Sequence, residues 1–304
     1  MKTYYSSGKL LLTGEYAVLD GALCLALPTV FGQQLKITHI TDPIIQWTSR
    51  DHDHTVWFQE TISLDNLHDI SERAISGMTT SEILLQVLGL ARQLNPEFLS
   101  ENSGFEVITQ LEFPRKWGLG TSSTLITNIA QWADVDPYVL LEKTFGGSGY
   151  DIACAQSKSP LLYQLHEYRP RVVPIDFKPP FSSSLFFVYL NRKQDSREAI
   201  RNYRNQDGNP KDLVAQITAL TKAIVACNQL EKFESLLRQH ESLIADALEL
   251  PTVKESLFPD YPRMVKSLGA WGGDFVLAVG GDKERDYFRK KGYKTIIPYT
   301  EMIA

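Results

Sequence analysis

Layered α+β architecture is predicted for this chain of 304 residues. Segments of strand and helix character alternate irregularly in both halves, where a doubly wound sheet would repeat strand and helix in turn. The length suits two domains of ordinary size. Pro174 to Ser184, rich in Pro and Ser, is the natural boundary, and it divides the chain into residues 1–180 and 181–304.

The elements follow in order. Tyr4 to Val30 reads as strands with turns, with Leu10 to Leu12 as a buried run and Asp20-Gly21 as a turn. Gln34 to Ile62 is a second strand-rich stretch, broken by Asp42-Pro43 and by the polar tip Ser49 to His54. Thr79 and Glu82 have the spacing of a capping box, and Ile83, Leu84, Val87, Leu88, Ala91 and Leu94 behind them keep helical period. Phe105 to Leu111 alternates as a strand does. A glycine loop follows, then a helix from about Ser122 to Ala133. In the second half a strand spans Leu185 to Leu190. Asn209-Pro210 caps a helix with Leu213, Ile217, Leu220 and Ile224 on one face. A further helix, carrying Phe233, Leu237, His240 and Ile244 on one face, stops at Pro251. The end reads as a loop (Gly269 to Gly273), a strand (Phe275 to Val279), a helix (Lys283 to Lys291) and a strand (Thr295 to Tyr299).

Composition excludes several function classes. With 31 basic and 36 acidic residues the formal net charge is −5, which gives no electrostatic footprint for nucleic acid. Cys24, Cys154 and Cys227 are odd in number and far apart, and no Cys-x-x-Cys occurs. This argues against a disulfide framework or a zinc site and suits a reducing, cytoplasmic location. No run is apolar enough to span a membrane. Leu10 to Leu12 is followed at once by Gly14 and Glu15, which fits a core strand and not a secretory segment.

Four segments have the composition of a site. In Gly118-Leu119-Gly120-Thr121-Ser122-Ser123 the glycines let a backbone approach a polyphosphate, a helix start aims N–H groups at it, and the hydroxyls add donors or a Mg²⁺ ligand. A tight turn with a serine cap accounts for the same residues. Gly146-Gly147-Ser148-Gly149-Tyr150-Asp151 sets a carboxylate at the mouth of an apolar segment, where it can take a proton from a substrate hydroxyl or simply cap the next helix. Lys266 to Asp274 holds Gly269, Gly272 and Gly273 before a buried strand, suited to close passage under a ligand or to a flexible connection. In Gly8-Lys9 through Tyr16, Lys9 enters an apolar strand, which needs an anionic partner or a snorkelling side chain. His52-x-His54 lacks a third metal ligand and reads as a solvated turn, and His240 reads as a core histidine.

Taken in this order, the four segments resemble the motifs of the GHMP kinase superfamily. Gly8-Lys9 through Asp20-Gly21 is similar to its first motif, Pro114 through Ser123 to its phosphate loop, Ser148 to Asp151 to the loop of its catalytic aspartate, and Gly269 to Asp274 to its third motif. Within the superfamily the nearest resemblance is to phosphomevalonate kinases, and Gly-Tyr-Asp-Ile-Ala (149–153) also resembles a bacterial group bearing that string. Three features depart from the pattern: Trp271 replaces a glycine, Thr124 an alanine, and the span from Ser122 to Asp151 is short.

The resemblance implies an N-terminal domain like the second domain of ribosomal protein S5, a ferredoxin-like C-terminal domain, and ATP with Mg²⁺ as cofactors. It implies Asp151 and Lys9 in catalysis, residues 118–123 on the nucleotide, and Ser122 with Glu142 on the metal. Acceptor contacts are implied for Glu15, Ser148, Gly149, Lys193, Ser196, Arg197, Gly269, Gly272 and Gly273. The acceptor is expected to be a small anion, phosphomevalonate first and mevalonate second. No nucleic-acid or membrane partner is expected, and a homodimer is compatible with the reading. An ATP-dependent decarboxylase and a ligand-binding pseudo-kinase are the alternatives.

Overall fold

The computed structural model describes residues 1–67, 70, 72–100, 103–167, 169–192, 200, 203–204, 210–269 and 271–304. Packing gathers residues 1–8, 31–115 and 119–156 into one unit and 9–30, 116–118 and 157–304 into another. Two long strands, β1 (Lys2–Thr13) and β2 (Cys24–Ile40), contribute residues to both units. The packing division is therefore discontinuous in sequence.

In the first unit the later half of β2 pairs antiparallel with β5 (Gly104–Leu111), and β5 pairs parallel with β3 (Ile44–Arg50). β3 in turn forms a hairpin with β4 (Val56–Ser63). Alternate residues face inward: Leu35 and Ile37 on β2, Ile45 and Trp47 on β3, Phe105 and Val107 on β5. Against them lie α1 (Thr80–Leu94) and α2 (Thr121–Ala133), through Leu84, Val87, Leu88, Ile126 and Ile129. Each such side chain removed from water contributes about 1.5–3 kcal/mol. The capping box at Thr79 and Glu82 forms as its spacing predicts, and α1 ends at Asn95, before Pro96. Two short helices, α3 (Pro137–Glu142) and α4 (Tyr150–Ala155), complete this unit.

In the second unit the four-stranded antiparallel sheet has the order β11-β8-β10-β9, from β8 (Leu185–Tyr189), β9 (Val265–Ser267), β10 (Phe275–Val279) and β11 (Ile296–Pro298). Between β8 and β9 lie α5 (Pro210–Val225), α6 (Leu230–Leu248) and α7 (Val253–Leu257), and α8 (Asp282–Lys290) joins β10 to β11. The sequence of elements and the strand order are those of a ferredoxin-like sheet, with a helical pair in the first crossover. β8 and β10 are buried at every residue, which explains their unbroken apolar runs. The strand expected over Thr295 to Tyr299 is shorter than that, and α9 (Tyr299–Met302) takes its end.

Two strands have no counterpart in the sequence reading. β6 (Leu161–His166) pairs with the start of β2, and β7 (Arg169–Pro174) pairs with β6. All of β7 is exposed and it contains two prolines, so it carries no hydrophobic alternation from which a strand could be read.

Candidate functional site

Gly118 and Gly120 have φ of +68° and +89°, a region in which a Cβ is crowded against the backbone. Gly120 is the N-cap of α2 and offers no side chain to cap it, so the first N–H groups of a 13-residue helix are left for another acceptor. The hydroxyls that follow divide by direction. Ser123 is buried and donates to Gly120 O (2.9 Å); Thr124, also buried, reaches Gln33 Oε1 (2.7 Å). Ser122 is exposed and Thr121 half-buried at the helix start. Thr124, the residue that departs from the expected alanine, is thus satisfied inside the unit.

Asp151 lies in the first turn of α4, behind Gly149 at φ +83°. Its Oδ1 accepts the Ile152 N–H (3.1 Å), and the Tyr138 phenol is raised by burial first, then by the charge of Asp136 and after it that of Asp151. Ser148 is half-buried and Gly149 buried beside it. Glu142, the last residue of α3, is exposed. Among the described residues no cluster of three or more His, Cys, Asp or Glu is placed to hold a metal.

In the second unit Lys9 is half-buried, and its Nζ donates to Gly118 O at 3.0 Å. Gly269 and Gly272 have φ of +68° and +75°, and a Cβ on either would meet nothing within 4 Å, so backbone conformation and not space calls for glycine there. Trp271 turns its indole into an apolar cluster with Tyr16, Ile217, Ile244 and Leu248, its Nε1–H on Pro251 O (3.0 Å). Its backbone N–H donates to Tyr16 Oη (2.9 Å), tying the third glycine segment to the first. Lys193, Ser196 and Arg197 lie outside the described residues.

Glu15 is fully buried within a charge cluster that the sequence reading missed. Lys266 Nζ donates to Glu15 Oε1 (2.6 Å), Glu241 Oε2 (3.3 Å) and Ser267 O (2.9 Å). His240 Nε2 accepts the Gly14 N–H (2.9 Å), so this nitrogen carries no proton. Two carboxylates share one ammonium here. Burial pushes the Glu15 carboxyl up to about 7 against the pull of Lys266, and raises Glu241 as well. Burial pulls Lys266 down, but Glu15 and Glu241 together hold it above its usual range, and burial, aided by the Lys266 charge, keeps His240 neutral.

These shifts predict a pH dependence. Between about 4.5 and 7 the folded protein holds the Glu15 proton more tightly than the unfolded chain, so this group's contribution to stability falls as pH rises. His240 acts in the opposite sense below about 6.5, because only the unfolded chain protonates it. In the wild type the two act in opposite directions. Glu15→Gln removes the first alone, so the melting temperature of the variant relative to wild type should climb from pH 5 to pH 7. A difference independent of pH would contradict the assignment.

One further cavity, of about 590 Å³, lies along α5 and α6, lined among others by Gln216, Leu220, Arg238 and Leu243. None of the glycine segments reaches it. Among the described residues no helix is long and apolar enough to cross a membrane.

No family model matches the chain, and no curated protein matches it in sequence. Solved structures do match. Mevalonate kinase of Methanococcus jannaschii superposes with a TM-score of 0.71 at 15% identity, over 97% of this chain and 96% of its own. Phosphomevalonate kinase of Streptococcus pneumoniae, solved with phosphomevalonate and AMPPNP, gives 0.71 at 17% identity, over 97% and 99%. Galactokinase of Lactococcus lactis, solved with galactose, gives 0.63 at 14% identity, over 95% and 88%. The chain has the two-domain fold of the GHMP kinases.

Proposed function

We propose that this protein is an ATP-dependent kinase that transfers a phosphoryl group to a small anionic acceptor, with phosphomevalonate the first candidate and mevalonate the second. The observation that carries the reading is the start of α2. Two left-handed glycines precede a helix whose first N–H groups have no side-chain cap, and Thr121 and Ser122 stand beside them. Oriented N–H groups and the helix dipole suit a polyphosphate, and a Mg²⁺ brought with it would take the Ser122 hydroxyl and, in this reading, Glu142. When bound, that ion would offset charge on the phosphates. Lys9 adds positive charge at Gly118. Asp151 is the group to accept the acceptor's proton, or to orient an acceptor that is already a phosphate. The likeness in fold to kinases of mevalonate, phosphomevalonate and galactose supports the reaction class.

Acceptor contacts are proposed for Ser148, Gly149, Lys193, Ser196, Arg197, Gly269, Gly272 and Gly273. Glu15 would act through its ion pair with Lys266, which fixes the end of the first motif. The division into domains at 180/181, a cytoplasmic location and a homodimer belong to the same proposal.

The test is ADP release in a coupled assay across phosphomevalonate, mevalonate and a panel of sugars. Turnover with either mevalonate compound and little with galactose is expected. Efficient use of galactose alone would overturn the acceptor assignment, and stoichiometric CO₂ release would indicate a decarboxylase. Within that assay Gly120→Val should abolish ATP binding, because a β-branched residue does not adopt φ +89°. Ser122→Ala should leave ATP binding in place and weaken the Mg²⁺ dependence of turnover. Calorimetry showing normal MgATP binding by Gly120→Val would place the phosphate site elsewhere.

A further inference from the structure

We propose that Asp274 is a positioning residue of the phosphate loop, holding Gly118 in its left-handed conformation from the side. The inference rests on the kinase reading for its functional consequence and on packing within the second unit for its geometry. A Cβ built on Gly118 would collide with Asp274 Oδ2 and Cγ. The carboxylate therefore occupies the space that any other residue at position 118 would need. On the carbonyl side of Gly118, Lys9 Nζ donates at 3.0 Å. The two preceding residues are held as well: Tyr189 Oη donates to Lys116 O (2.9 Å), and the Trp117 ring meets Phe275 edge-on at 5.4 Å.

Asp274 is itself fixed. It stands immediately before β10 at φ +52°, a conformation that a non-glycine residue keeps only when its surroundings impose it. They do so here: its N–H donates to Arg192 O (2.7 Å) and its carbonyl accepts from Leu190 N–H (2.8 Å), extending the β8–β10 pairing by one step. Asp and Asn are the side-chain-bearing residues that best tolerate this region. A carboxylate beside a polyphosphate loop is an electrostatic cost to nucleotide binding. Its presence at that place is accounted for by position: it sets the backbone from which Leu119 and Gly120 continue into the cradle.

The test is a double-mutant cycle on Gly118→Ala and Asp274→Ala, with Asp274→Asn as the conservative control. Gly118→Ala should raise KM for ATP by roughly tenfold or more, with less effect on kcat, as a displaced binding loop does. Asp274→Ala should raise it several-fold, and Asp274→Asn, which keeps the shape, should recover most of that loss. The double variant should bind ATP better than Gly118→Ala alone, because the atoms that the new methyl group meets are gone. Melting temperatures, which need no turnover, should show the same coupling. Additive effects in KM and melting temperature, or Asp274→Asn as impaired as Asp274→Ala, would overturn the proposal. Failure of the wild-type protein to bind ATP at all would instead sink the kinase reading, while coupling in melting temperature would still report on the packing.

Discussion

Lys266→Met is expected to lower the thermal unfolding midpoint by about 5–8 °C. The ammonium is fully buried and is shared by Glu15 and Glu241, which are also inside the protein. Removing one partner of a buried ion pair costs about 3–5 kcal/mol, since the other charge is left without compensation. At about 2.1 cal/mol/K per residue, a chain of 304 residues moves its midpoint by about 1.5 °C per kcal/mol. The methionine stem fills nearly the volume of the lysine stem, so the loss reports charge and not a cavity. The same argument predicts rescue. Lys266→Met combined with Glu15→Gln and Glu241→Gln leaves no charge in the cluster and should regain most of the lost stability. Calorimetry would decide. A Lys266→Met variant as stable as wild type, or a triple variant worse than the single one, would mean that the pair is not the element that holds these segments.

What the sequence made legible, and what it did not, follows from the range of the interactions. The capping box at Thr79 and the helix behind it are local, and both appear where their spacing puts them. The glycine loop is local too: Gly118 and Gly120 need left-handed φ, and the helix starts within a residue of its expected place. The charge cluster is another matter. Glu15, Glu241 and Lys266 come from a strand end, a long helix and a short strand, and only tertiary packing brings them together. A hint was present in His240, on an otherwise apolar helix face next to Glu241, and in Lys266 between the buried Val265 and Ser267. Polar groups at core positions call for partners, but the pattern does not name them. Trp271 is similar. As a replacement for glycine it suggests obstruction of a ligand, whereas its indole is directed into the cluster around Tyr16. β7 escaped because a strand exposed on every residue has no period to detect.

Asp151→Asn is expected to reduce kcat by at least about a hundredfold with little change in ATP affinity, the usual scale for a positioned acid–base group. The substitution keeps the shape and the contact with the Ile152 N–H, because an amide oxygen can accept that bond as the carboxylate does. What it removes is the charge and the ability to take a proton. Helix α4 starts at the left-handed Gly149, whose φ the substitution does not touch, so the fold of the segment should survive. The acceptor decides which loss dominates. A hydroxyl acceptor, as in mevalonate, needs a base, and kcat should then lose its dependence on the ionisation of Asp151 at the acid end of the pH profile. A phosphate acceptor arrives already ionised, so the loss would then come from orientation alone and leave that profile unchanged. Steady-state kinetics of the variant with both acceptors, across pH, separates these outcomes. Near wild-type turnover with every acceptor would remove Asp151 from the reaction, and the proton would have to go to another group.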